Sequence, residues 1–166
     1  YKVSTRTSKV LADTITPVSA YLRLREFFPS SVLLESSDYH AHQNSSSFIG
    51  CDMLAKIELG DGVIMESFPD GRVDERRIEP GRGSLQLALE NFMSNFEIEE
   101  SEQQPLLGNG LFGFLSYDAV EFMEDIHLAS KADPATRTPQ MYYVLFRYVI
   151  SIDHFRNELY IQENCC

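Results

Sequence analysis

The stretch Ile49-Gly50-Cys51-Asp52-Met53-Leu54-Ala55-Lys56-Ile57-Glu58-Leu59-Gly60-Asp61-Gly62-Val63-Ile64-Met65 decides the fold class of this 166-residue chain. Ile49, Cys51, Met53, Ala55, Ile57 and Leu59 recur at every second position, and only a strand puts such residues on one face. Asp52, Lys56 and Glu58 fall on the other face, where water suits them. Gly60-Asp61-Gly62 supplies residues that tolerate left-handed backbone, so residues 63–65 are expected to return as an antiparallel partner.

Working outward, Pro69-Asp70-Gly71 is a second turn signal and predicts a third strand over 72–78. Before the hairpin, Thr16-Pro17 reads as a helix N-cap with proline at the first helical position. Val18, Tyr21, Leu22 and Phe28 then fall near helical spacing until Pro29 stops the helix. Residues 31–36 form a short apolar strand candidate, followed by a polar loop over 37–46. Beyond the hairpin, Ser84 is the expected cap of a helix whose Leu85, Ala88, Leu89, Phe92 and Phe96 form one stripe. An acidic linker begins at Glu97.

Residues 111–115 read as a strand, 117–125 as a helix and 131–139 as a loop. Tyr142, Val144, Phe146, Tyr148, Ile150 and Ile152 predict a long strand that turns at 153–157 into another over 159–162. Strands that arrive in hairpins with few helices between them predict an α+β fold, mainly antiparallel sheet with a few packed helices. At this length, one domain over 1–166 is expected.

Composition narrows the function classes. Lys and Arg number 14 against 25 Asp and Glu, a net charge of -11. Such a field repels phosphate backbones and anionic lipid, which argues against nucleic-acid and membrane-surface roles. No apolar run approaches the ~20 residues that span a bilayer. No signal-peptide core follows Tyr1. Cys51, Cys165 and Cys166 make an odd, unspaced set, which fits a reduced, cytoplasmic protein. Tyr1 is not an initiator methionine and the chain stops just after a strand-like stretch, so a piece of a longer protein is expected.

Several motifs invite chemistry. Gly108-Asn109-Gly110-Leu111-Phe112-Gly113 matches G-x-G-x-x-G, but a dinucleotide site needs a strand before it and a helix N-terminus after it. Here an acidic, glutamine-bearing loop precedes and a strand-like run follows, so glycines serving a turn and close packing explain the match better. Asp38, His40 and His42 offer mixed metal ligands without a fourth, and the same residues suit a solvated loop. Glu121, Glu124 and Asp125 read as a solvated acidic face. No serine or cysteine sits in a nucleophile elbow, and no histidine pairs visibly with a nucleophile. Catalysis is not legible in this chain. Leu33-Leu34-Glu35-Ser36 has two readings. One is the polar exit of a strand. The other is a carboxylate for an ammonium group beside a hydroxyl for a carboxylate, the two polar ends of an amino acid.

Four stretches in order resemble component I, the large subunit, of anthranilate synthase. Leu11-Ala12-Asp13-Thr14-Ile15-Thr16-Pro17-Val18-Ser19-Ala20-Tyr21-Leu22 is similar to its opening segment. Leu33-Leu34-Glu35-Ser36 followed by Ser46-Ser47-Phe48-Ile49-Gly50 is similar to its strand, loop and strand. Gly110-Leu111-Phe112-Gly113-Phe114-Leu115-Ser116-Tyr117-Asp118 resembles its glycine-aromatic stretch ending in Tyr-Asp. Ile152-Asp153-His154 resembles a strand end that usually reads Phe-Asp-His.

The resemblance implies the N-terminal domain of an enzyme that converts chorismate and ammonia to anthranilate and pyruvate in tryptophan biosynthesis. It implies a C-terminal chorismate-binding domain in cis that holds magnesium and the catalytic residues, and a glutamine amidotransferase subunit (component II) supplying ammonia. It also implies a feedback site for L-tryptophan carried by Leu34, Glu35 and Ser36. Ser46 joins that set at a position where some members carry lysine. The chain on its own is then expected to make no anthranilate and to bind tryptophan weakly. The nearest alternative inside the superfamily is component I of aminodeoxychorismate synthase, with salicylate and isochorismate synthases more distant. The Thr16-Pro17-Val18-Ser19-Ala20-Tyr21 opening favours the anthranilate branch. A free-standing small-molecule-binding module is the alternative from another class.

Overall fold

The computed structural model describes residues 1–35, 45–99, 109–128 and 138–166. Its elements, in chain order, are β1 (Lys2–Leu11), α1 (Pro17–Phe27), β2 (Val32–Glu35), β3 (Ser46–Gly60), β4 (Val63–Ser67) and β5 (Val73–Arg77). Then follow α2 (Ser84–Met93), β6 (Glu97–Ile98), β7 (Leu111–Leu115), a 3-10 helix (Tyr117–Phe122), β8 (Met141–Asp153) and β9 (Glu158–Cys165). The expected α+β class, mainly antiparallel sheet with few helices, is the one adopted. Two compact units divide the chain: Tyr1 with Leu54–Glu97 and Leu111–Leu145, and Lys2–Met53 with Ile98–Gly110 and Phe146–Cys166. The long strands β3 and β8 contribute residues to both.

In the first unit the hairpin forms as the sequence predicts. Gly60 pairs with Val63, and Asp61 and Gly62 between them have φ of 51° and 74°. Two left-handed residues make the turn whose twist matches a hairpin. β4 then pairs antiparallel with β5 from Val63↔Arg77 to Ser67↔Val73. On the other side β7 pairs with β8 from Leu111↔Leu145 to Leu115↔Met141. Leu85, Ala88 and Phe92 form the buried stripe of α2, and Phe92 lies 5.6 Å from Phe68, ring centre to ring centre. The cap differs from expectation. Gly83, at φ 80°, is the N-cap, and the Ser84 hydroxyl instead donates to Gly81 O (3.2 Å) and Phe122 O (3.1 Å). The helix expected over 117–125 is a 3-10 helix of 6 residues, closed by bonds of the Ala119 N to Ser116 O type, which tighten the turn.

In the second unit β2 pairs with β3, β8 with β9 and β9 with β1. Strand β1 has no apolar alternation to announce it, and Val3 is its one buried residue. It is held by an antiparallel ladder running from Ser4↔Cys165 to Leu11↔Glu158. Strand β9 also runs past the expected residue 162, because its polar end is inside: Gln162 and Asn164 are 0% exposed. Asn164 Nδ2 donates to Phe146 O at 2.8 Å, and its Oδ1 accepts from the Thr5 hydroxyl at 2.7 Å. Helix α1 has the predicted start, with Thr16 and Ser19 forming a reciprocal capping box and proline in the first turn. It buries no residue completely.

Strand β3 corrects one register expectation. Ile49, Cys51, Ala55, Ile57 and Leu59 are all 1% exposed or less, but Met53 is 40% exposed. The cause is Asp52, whose φ of 61° puts a left-handed residue inside the strand. A kink of this kind breaks the two-residue alternation, so Met53 turns outward and Leu54 goes in at 7%. The Asp52 carboxylate then reaches Arg147 Nε at 2.8 Å.

Candidate functional site

The strand pairing β2–β3 assembles part of the residue set singled out in the sequence. Proline at the start and Phe28 at the C-cap confine α1 to 17–27, which leaves 32–35 free to extend. Glu35 is the Cα partner of Ser47, Leu34 of Phe48, Leu33 of Ile49 and Val32 of Gly50. Leu34 is 41% exposed, Glu35 is exposed and Ser46 is half-buried. The structure therefore sets Leu34 and Glu35 beside the first residues of β3, at the end of the ladder where Ser46 stands. Ser36 lies outside the described residues, as do Asp38, His40 and His42. Among the described residues no cation forms an ion pair with Glu35. That leaves an exposed carboxylate at a strand end, a group that can receive an ammonium ion.

Two residues at this place have roles that the sequence does not reveal. Ser47, 1% exposed, shares a 2.7 Å hydrogen bond through its hydroxyl with His154 Nε2. The backbone N–H of His154 donates to Ser45 O at 3.1 Å. Both partners are 107 or more positions away in sequence, so no local spacing could have announced the contact. Gly50, further along the same strand, is required by packing. A Cβ there would lie 2.6 Å and 2.9 Å from Cε2 and Cγ of the Phe146 ring.

The first unit contains an open cleft of ≈ 740 Å³ that gathers another quoted stretch. Ser116 and Asp118 line it together with the Gly60-Asp61-Gly62 turn and Thr138 to Gln140. Glu58, Asp61, Glu79, Asp118 and Glu121 face it against Arg77. Lys56 Nζ, 2.8 Å from Glu58 Oε2, offsets one of these charges. Such a wall disfavours phosphates and dicarboxylates. Gly113 has a packing reason: a Cβ on it would fall onto Tyr142 O and within 2.8 Å of Tyr143 Cα. Gly108 lies outside the described residues.

Other candidates are settled by their surroundings. Glu121 Oε1 accepts from Leu128 N at 2.7 Å, while Glu124 and Asp125 are exposed. Among the described residues no group of three or more His, Cys, Asp or Glu is arranged to hold a metal ion. Burial pushes the Cys51 thiol up to about 11, with the Asp52 carboxylate adding to the effect, so it is a packing residue and no nucleophile. Among the described residues no helix is long and apolar enough to cross a membrane.

Comparison with known proteins finds relatives along nearly the whole chain. No family model matches the chain. Component 1 of anthranilate synthase from Mycobacterium bovis is 29% identical over 170 residues, covering 99% of this chain and 31% of that protein. The Thermus thermophilus component 1 is 32% identical over 151 residues, covering 91% of this chain and 30% of that protein. Component 1 of aminodeoxychorismate synthase from Bacillus subtilis is 27% identical over 130 residues, covering 78% and 25%. A crystal structure of anthranilate synthase component I from Streptococcus pneumoniae is 23% identical and covers 90% of this chain and 30% of that one, with a TM-score of 0.47. The chain spans less than a third of the length of the curated relatives it matches.

Proposed function

From this similarity to anthranilate synthase component 1 over nearly the whole chain, we propose that these residues form the regulatory N-terminal portion of that enzyme. The complete polypeptide converts chorismate and ammonia to anthranilate and pyruvate in tryptophan biosynthesis. Chorismate, magnesium and the reacting atoms belong to a later domain in cis, and a glutamine amidotransferase subunit supplies ammonia. The part assigned to this chain is to bind L-tryptophan as inhibitor through Leu34, Glu35, Ser36 and Ser46. The enzyme works in the cytoplasm.

The observation that supports this reading most directly is the β2–β3 register, which brings Glu35 opposite Ser47 at the end of the ladder and, through its pairing with Phe48, puts Leu34 on the same face as Ser46. Glu35 is suited to the ligand's ammonium group. The hydroxyls of Ser36 and Ser46 are suited to its carboxylate. The test is Ser36→Ala and Glu35→Gln in the complete polypeptide, with inhibition curves and turnover measured side by side. Loss of a hydrogen bond to a charged group should raise the half-inhibiting tryptophan concentration roughly tenfold to hundredfold. Inhibition identical to the parent in both variants refutes the assignment, and so does lost inhibition matched by an equal loss of turnover.

One observation favours a second reading: the Bacillus subtilis relative is a component of aminodeoxychorismate synthase. Product analysis with chorismate, magnesium and an ammonia source separates the two, since one enzyme releases fluorescent anthranilate and the other aminodeoxychorismate. The coding sequence beyond Cys166 tests the free-standing alternative, which requires a stop codon there.

A further inference from the structure

We propose that His154 is a positioning residue for the ligand contact at Ser46, and the proposal rests on the amino-acid-site reading above, of which it uses Glu35 and Ser46. Ser46 has a neighbour fastened to this one histidine on each side. Ser45 O accepts from His154 N at 3.1 Å, and the Ser47 hydroxyl meets His154 Nε2 at 2.7 Å. Ser47 is also the Cα partner of Glu35, so the same fastening extends across the ladder to the backbone of Glu35.

The histidine can act as a clamp because its own turn is tied down. Asp153 Oδ1 accepts from Phe155 N at 2.9 Å and Arg156 N at 3.0 Å. Asn157 takes the left-handed conformation at φ 52°, and its carbonyl accepts from Ala12 N at 3.0 Å. The β8–β9 turn thus presents an imidazole to Ser47 and a backbone N–H to Ser45, the residues on either side of Ser46 at the start of β3. A strand start held this way is ordered before any ligand arrives, whereas an unheld one must be ordered at the ligand's expense.

The competing account is that His154 merely satisfies the buried Ser47 hydroxyl. That account predicts a stability loss and nothing else. The two separate in the complete polypeptide with His154→Ala, Ser47→Ala, the double variant, His154→Gln and Glu35→Gln. The readouts are half-inhibiting tryptophan concentration, kcat, KM for chorismate and thermal midpoint. Losing one neutral hydrogen bond corresponds to a rise in half-inhibiting concentration of roughly twofold to tenfold. His154→Ala and Ser47→Ala should each give that rise, and the double variant no more than either, because both remove the same bond. kcat and KM should hold in the His154 and Ser47 variants. His154→Gln, whose amide can still reach the Ser47 hydroxyl, should recover part of the inhibition and serves if the alanine variant fails to fold.

Additive shifts in the double variant overturn the proposal. So does loss of inhibition that tracks an equal loss of turnover, or unchanged inhibition in His154→Ala while Glu35→Gln relieves it. If Glu35→Gln also leaves inhibition unchanged, the site reading itself has failed, and the clamp falls with it.

Discussion

Replacing Gly113 with alanine should damage the first unit more than its one added methyl group suggests. Gly113 pairs with Tyr143 in the β7–β8 ladder. The new Cβ would fall onto Tyr142 O and within 2.8 Å of both Tyr142 C and Tyr143 Cα. All three obstacles are backbone, so no rotamer change relieves them. β7 must retreat from β8 by an ångström or more, about the difference from ordinary van der Waals contact at ~3.5–4.0 Å. Overpacking typically costs about 1–3 kcal/mol, and each ladder bond stretched or lost adds about 0.5–1.5 kcal/mol. With two such bonds affected, the sum is about 2–6 kcal/mol. In a chain of this size that lowers the thermal midpoint by roughly 4–24 °C. Gly60→Ala is the control, since nothing lies within 4 Å of its Cβ position, and it should stay within about 0.5 kcal/mol of the parent. The assay is urea and thermal unfolding followed by far-ultraviolet circular dichroism. If Gly113→Ala and Gly60→Ala unfold alike, the close approach of β7 to β8 is wrong and the glycine-rich stretch needs another explanation.

The remaining expectations concern burial. Met53→Asp should cost less than about 1 kcal/mol, because the 40% exposed side chain leaves its replacement in water. Ile57→Asp, at a position 0% exposed, should cost several kcal/mol by burying a charge without a partner. Equal midpoints for the two in urea would return Met53 to the inner face. Under a maleimide at pH 8, Cys165 and Cys166 should be labelled in the folded chain and Cys51 only after unfolding, since burial raises its thiol to about 11. Labelling of Cys51 at the rate of the terminal pair would contradict its placement.

The sequence announced those elements in which one face is apolar. The hairpin of β3 and β4, the stripe of α2 and the alternation of β8 each follow from side chains that must leave water, so period alone located them. Where structure is held by backbone ladders, the pattern is silent. Residues 2–11 carry Lys, Ser, Thr and Arg on both sides, and only their pairing with β9 makes them a strand. Gln162 and Asn164 look like a polar exit, yet they are enclosed because strands β1 and β8 flank β9 and supply Asn164 with partners at Thr5 and Phe146. Asp52 shows a third limit: a single left-handed residue interrupts the alternation at Met53 and Leu54 before it resumes at Ala55, and an aspartate in a strand gives no sign of doing so.

The stretches that resemble anthranilate synthase component I also differ in how closely they are tied to function. Thr16-Pro17 caps a helix, Gly50 makes room for the Phe146 ring and Gly113 lets β7 approach β8. Each of these resemblances has a sufficient cause in the making of the fold, so similarity there carries architecture and says little about a ligand. Glu35 differs, because among the described residues its carboxylate forms no ion pair and its strand would pair equally well without it. His154 stands between the two cases, as its hydrogen bonds to Ser45 and Ser47 serve packing and ligand geometry alike. A functional assignment therefore gains most from residues whose removal leaves the fold standing. Inhibition measured in Glu35 and His154 variants carries more weight for the tryptophan reading than any further count of matching glycines.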